Sequence, residues 1–182
     1  AFEFMTSSKK KEKLSASDWE TIQTNTFYGQ EKTSLGYVMG MMNMILHGIE
    51  SPNVYKGNTL TQNIRDYQEK DRHNVILANP PFGGKEKSQI QQNFPIETNA
   101  TEMLFIQHFM KMLKLEGRAA IIIPEGVLFQ TNNAFKKIKQ DLLEGFNVHT
   151  IVSLPSGVFL PYSGVKTNIL YFDRKGATSK IW

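Results

Sequence analysis

At 182 residues with an apolar share of 40%, the chain is long enough to bury one core, and its composition suits a globular fold. It contains no cysteine, which excludes a disulfide framework or a thiolate metal site, and its four histidines (His47, His73, His108, His149) are scattered without ligand spacing. The net charge of +4 permits a polyanionic partner but does not argue for one: Lys9, Lys10, Lys11 and Lys13, set against Glu3 and Glu12, hold half of the excess in a run expected to be a solvated loop.

No window approaches the length of an apolar membrane span, and the first lysines follow the apolar residues instead of preceding them, so no secretory signal is expected. These features point to a soluble, cytoplasmic protein without a membrane partner. The opening AFEFM reads as the last turn of an apolar helix that begins elsewhere; with Ala1 in place of an initiator methionine, the chain is expected to be part of a longer polypeptide.

In chain order, TIQTNTFYGQEK (21–32), rich in threonine and aromatics, predicts a strand, and TSLGYVMGMMNMILHGI (33–49) a buried helix packed on a sheet. NVILA (74–78) is a continuous apolar run between turn signals, the pattern of a central parallel strand buried on both faces. Residues 83–101 form a long polar stretch without periodicity, expected to be a functional or disordered loop. TEMLFIQHFMKMLKLEG predicts an amphipathic helix closed by Gly117; RAAIIIP is a buried strand, NNAFKKIKQDLLEG a helix, TIVSLP a third strand and VKTNILYFDR a fourth. This alternation predicts one α/β domain with a mostly parallel sheet, helices on both faces, and ligands outside the carboxyl ends of the strands.

Asn79 follows directly on NVILA and so falls at such a strand end. Pro80 and Pro81 stiffen the segment, fixing an amide side chain and neighbouring carbonyls in one arrangement. The Asn79 side-chain oxygen and the Pro80 carbonyl are two fixed acceptors that match a substrate NH₂ group with two protons to donate, and Phe82 supplies a flat face for an aromatic ring. Accepting both protons draws the nitrogen lone pair out of conjugation, making it a better nucleophile without a strong base. Gly83 and Gly84 are expected to leave space for a nucleotide backbone.

This NPPF segment after an apolar strand resembles the catalytic motif of the S-adenosylmethionine-dependent amino-methyltransferases. FYGQEKTSLGYVMGMMNMILHGI, GNTL, ANPPFGG, AAIIIPEGVLF and LPSGVFLPYSGVKTNILYF narrow the resemblance to the modification subunit of type I restriction-modification systems, over nearly the whole chain. The resemblance implies a Rossmann-like methyltransferase fold and N6-methylation of adenine in DNA, with the base flipped out of the duplex. It also implies a specificity subunit and a restriction subunit as partners. By analogy Asn79, Pro80, Pro81 and Phe82 form the catalytic segment, with Phe82 and Phe159 stacking on the base. Glu31 is placed at the cofactor ribose hydroxyls, and Asn58, Thr59 and Leu60 in the segment that contacts the cofactor; Lys85 and Lys87 are candidate DNA phosphate contacts. Asn58 stands where the family commonly has an aspartate.

The family's glycine-rich first motif and its N-terminal helical domain are not found in residues 1–182. The resemblance therefore implies a partial catalytic domain, incomplete at the N-terminus, inactive alone and lacking the first strand of its sheet. Other readings are an amino-methyltransferase acting on RNA or on a protein glutamine, and a non-catalytic scaffold for the specificity and restriction subunits.

Overall fold

The computed structural model describes residues 1–7 and 14–182; the lysine run expected as a solvated loop lies outside these. The described residues gather into two compact units, Ala1–Thr59 and Leu60–Trp182.

In the first unit, helix α1 (Phe2–Met5) seats Phe2 against Trp19 and Phe27, with ring centroids 6.2 and 6.1 Å apart. Residues 21–24, expected in a strand, belong instead to helix α2 (Ala16–Thr24). Its start is set by a capping box in which Ser15 and Asp18 each accept the other's backbone N–H, and this local closure outweighs the strand preference of the threonines. Strand β1 (Tyr28–Glu31) pairs in parallel with β2 (Asn53–Lys56), joined through helix α3 (Ser34–Leu46). Helix α3 ends in a Schellman motif: Gly48 takes φ 92°, the Ile49 N–H reaches the Met44 carbonyl and the Gly48 N–H the Ile45 carbonyl. Although α3 is the helix expected, none of its residues is buried, and Leu35, Met39, Met42 and Leu46 are exposed. A two-stranded sheet is too narrow to cover so many apolar side chains.

The second unit is built on a four-stranded sheet of order β3 (His73–Ala78), β4 (Leu113–Pro124), β6 (Thr167–Asp173), β5 (Asn147–Ser153). β3 and β4 are parallel, and β6 runs antiparallel to both of its neighbours, so the sheet is mixed. Three strands share one direction and β6 is inserted between two of them. The sheet is thus mostly of one strand direction, as expected, with a single antiparallel insertion that the sequence pattern does not mark.

Helices α5 (Thr101–Met112) and α7 (Asn133–Gly145) form one core with the sheet face carrying Ile76, Ile121, Ile123, Leu170 and Phe172. The opposite face is not covered in this unit: Val75 is 48% and Leu77 70% exposed. The expectation of NVILA as a central strand buried on both faces is corrected for this unit, where β3 lies at the sheet edge.

Helix α5 stops at Met112, five residues before Gly117, and β4 begins at once. The register against β3 slips between His73–Leu113 and Val75–Arg118, and Glu116 takes φ 62°. Gly117 is a bulge residue, where a Cβ would lie 2.8 Å from the Lys114 carbonyl oxygen and 3.1 Å from that of Asn74. The polar stretch 83–101 is ordered, not loose. It contains helix α4 (Ser88–Gln91) and buries Phe94 in a small cluster with Leu60, Ile64 and Leu104. Asn93 Nδ2 also donates to the carbonyls of Leu60 and Thr61. After β4 comes the short helix α6 (Glu125–Phe129).

Candidate active site

Asn79 leaves the carboxyl end of β3 and is exposed; Pro80 behind it is buried, Pro81 exposed and Phe82 half-buried. The fold thus anchors the segment through Pro80 and presents the Asn79 amide. The β5–β6 connection brings Phe159 to Phe82, with centroids 5.4 Å apart and planes at 71°. Two aromatics separated by 77 positions in the chain therefore meet edge to face beside Asn79.

The two glycines after Phe82 have separate structural reasons. Gly83 takes φ 66° and has open space around it. Gly84 is pressed against Thr101, and a Cβ there would lie 2.5 Å from Thr101 Oγ1. Its missing side chain serves the docking of helix α5, since the Thr101 N–H also donates to the Gly84 carbonyl. Lys85 is exposed and bridges Ala100 through its backbone, while Lys87, also exposed, precedes α4.

A cleft of about 400 Å³ opens where the loops after the parallel strands β3 and β4 diverge, lined in part by Gly83, Lys85, Asn99, Glu102 and Asn132. Glu102 Oε2 is buried there without a hydrogen-bond partner. At the same end of the sheet, β6 starts opposite the carboxyl end of β4, Thr167 facing Pro124 and Asn168 facing Ile123. Thr167 Oγ1 and Asn168 Nδ2 are buried there, also without partners. Their position was hidden in the sequence because VKTNILYFDR reads as an ordinary alternating strand.

In the first unit, Glu31 ends β1, and its Oε1 accepts from the Thr33 N–H at 2.8 Å and from Thr33 Oγ1 at 2.7 Å. These two bonds hold the carboxyl below its ordinary pKa and keep it ionised. Thr33 also caps α3 by accepting from the Gly36 N–H, and a Cβ on Gly36 would lie 2.9 Å from the Glu31 carboxyl carbon. Thr33 and Gly36 support Glu31 and were missed as site residues; the readable signal was an N-cap threonine just before an apolar run. Asn58 and Thr59 are half-buried at the end of this unit. Leu60, in the second unit, is fully buried against Ile64, Phe94 and Leu104, so its side chain serves packing.

The architecture is shared with a class I S-adenosylmethionine-dependent methyltransferase of Listeria monocytogenes, 14% identical, with a TM-score of 0.68 over 90% of this chain and 53% of that one. That likeness fixes the fold class. The chain belongs to the N-6 DNA methylase family, whose model matches residues 4–182. It is 44% identical over 168 residues to the EcoEI type I restriction enzyme methylase subunit of Escherichia coli, covering 91% of this chain and 34% of that protein. A solved chain from a type I R-M system is 48% identical with a TM-score of 0.89, covering 96% of this chain and 36% of the other. The chain thus spans about a third of the length of the relatives it matches.

Proposed function

We propose that the polypeptide to which these residues belong methylates the N6 amino group of adenine in DNA, using S-adenosylmethionine, as the modification subunit of a type I restriction-modification complex. The observation that supports it most is the geometry after β3: an exposed amide on an anchored Asn79-Pro80-Pro81 segment, beside the Phe82–Phe159 pair, in a chain of the N-6 DNA methylase family. Its partners on this reading are DNA, a specificity subunit and a restriction subunit, and it works in the cytoplasm.

Asn79 Oδ1 and the Pro80 carbonyl accept the two protons of the flipped adenine's amino group, which localises the nitrogen lone pair, while Phe82 and Phe159 hold the ring. S-adenosylmethionine supplies an electrophilic methyl on a sulfonium. When bound, that methyl would be taken by the N6 lone pair as its bond to sulfur breaks, and the amino group would then lose one proton to water from the N–H that Asn79 Oδ1 holds as a hydrogen-bond acceptor.

The chain's own residues fit that cofactor at Glu31. It is an ionised carboxylate at the carboxyl end of a parallel strand, and the lack of a Cβ at Gly36 gives it room across the start of α3. In this reading Glu31 binds the ribose hydroxyls, Asn58 and Thr59 border the cofactor's adenine, and Lys85 and Lys87 meet DNA phosphates.

The intact subunit, supplied with S-adenosylmethionine and offered DNA, RNA and protein acceptors, should form N6-methyladenine in duplex DNA. Methyl transfer to RNA or to protein glutamine alone, or to none of the three, would contradict this reading.

A further inference from the structure

The β5–β6 connection, residues 154–166, carries more than Phe159. Its base is braced twice against α6: Lys166 Nζ lies 2.7 Å from Glu125 Oε1, and the Glu125 N–H donates to the Lys166 carbonyl at 2.8 Å. Within the loop the Leu160 N–H donates to the Gly157 carbonyl, and the N–H groups of Tyr162 and Ser163 both donate to the Phe159 carbonyl. These tight turns divide the side chains. Phe159 goes inward to Phe82, while Val158, Leu160 and Tyr162 point away, with Leu160 64% and Tyr162 95% exposed.

An apolar, aromatic tip on a braced loop needs a partner with an apolar face. The tip is tied through Phe159 to the site at which the proposed function puts a flipped adenine, and such flipping leaves a gap in the stack and an unpaired base opposite it. We propose that Tyr162, flanked by Leu160 and Val158, enters the duplex at the step the target adenine vacates and stacks on the bases left there, holding the flipped state open. The inference rests on the adenine reading of Asn79–Phe82 and adds a DNA-distorting element to it. Tyr162 is a positioning residue, since it acts on the duplex and not on the reacting atoms.

The test uses the intact modification subunit with its specificity partner, in single-turnover methylation of two duplexes: one with a paired target adenine, one with that adenine mispaired. A mispaired base costs less to unstack, so the need for a wedge falls with it. Tyr162→Ala should slow methylation about tenfold or more on the paired duplex and under about threefold on the mispaired one, with Tyr162→Trp close to wild type. With 2-aminopurine at the target position, the fluorescence rise on binding should shrink in Tyr162→Ala. Equal losses on both duplexes, or no loss on either, would overturn the proposal. So would loss of the specificity subunit from Tyr162→Ala, which would assign the tip to a protein contact. Asn79→Ala separates this from the underlying reading: it should slow both duplexes alike while the 2-aminopurine signal remains. A wild-type complex that methylates neither duplex would overturn that reading itself.

Discussion

Gly83 and Gly84 follow the same phenylalanine but meet different demands. Gly83 needs a left-handed backbone and has room around it, whereas Gly84 needs the space that a buried, β-branched Thr101 occupies. Alanine at Gly84 forces Thr101 or helix α5 to shift, so Gly84→Ala should cost about 1–3 kcal/mol of unfolding free energy by urea denaturation. Gly83→Ala meets only the backbone preference and should cost about 1 kcal/mol; equal losses for the two would contradict this division. The sequence predicts space for a nucleotide at both glycines, and at Gly84 the fold adds a requirement of its own. The place of Asn79 at a strand end is legible because a proline pair after an apolar run is informative on its own. Thr33 and Gly36 are not, because their value lies in what they do to Glu31.

At the level of elements, strong periodicity and local punctuation carried the reading. Helix α7 was legible to within a residue, since Asn132 caps it by accepting from the Phe135 N–H and its apolar residues recur on one face. Failures came where tertiary context or an unmarked local closure decided. The Ser15–Asp18 capping box pulled Thr21–Thr24 into α2. The bulge at Glu116–Gly117 let β4 start at Leu113, in a stretch that reads as the end of a helix. The strand NVILA looks central from its composition, yet only Ile76 in it is buried, because one face and one edge have no cover within its unit. Composition reports how much apolar surface a strand offers, and the neighbours decide how much of it is used.

For the whole molecule, the core of the second unit holds an ionisable group that ties stability to pH. His108 is buried on α5 beside Tyr67 and Phe109, with ring centroids 5.3 and 5.9 Å away. Burial, and then the nearby His73, push its pKa down to about 4. His73 is itself lowered, by burial and by Lys114, with Asp71 opposing. A folded-state pKa below the unfolded value means that the unfolded chain takes up the proton first. The stability that neutral His108 allows is therefore present above about pH 6.5 and falls progressively toward pH 4, by up to about 3 kcal/mol. Urea midpoints measured between pH 7.5 and 4.5 should fall more steeply for wild type than for His108→Gln, and parallel slopes would contradict the assignment. The acceptor clamp of Asn79 and Pro80 is put to the test by single-turnover methylation of duplex DNA with the intact subunit carrying Asn79→Ala. We predict a loss of about a hundredfold or more in the rate of N6-methyladenine formation, with S-adenosylmethionine affinity and thermal stability unchanged; an undiminished rate would contradict the clamp.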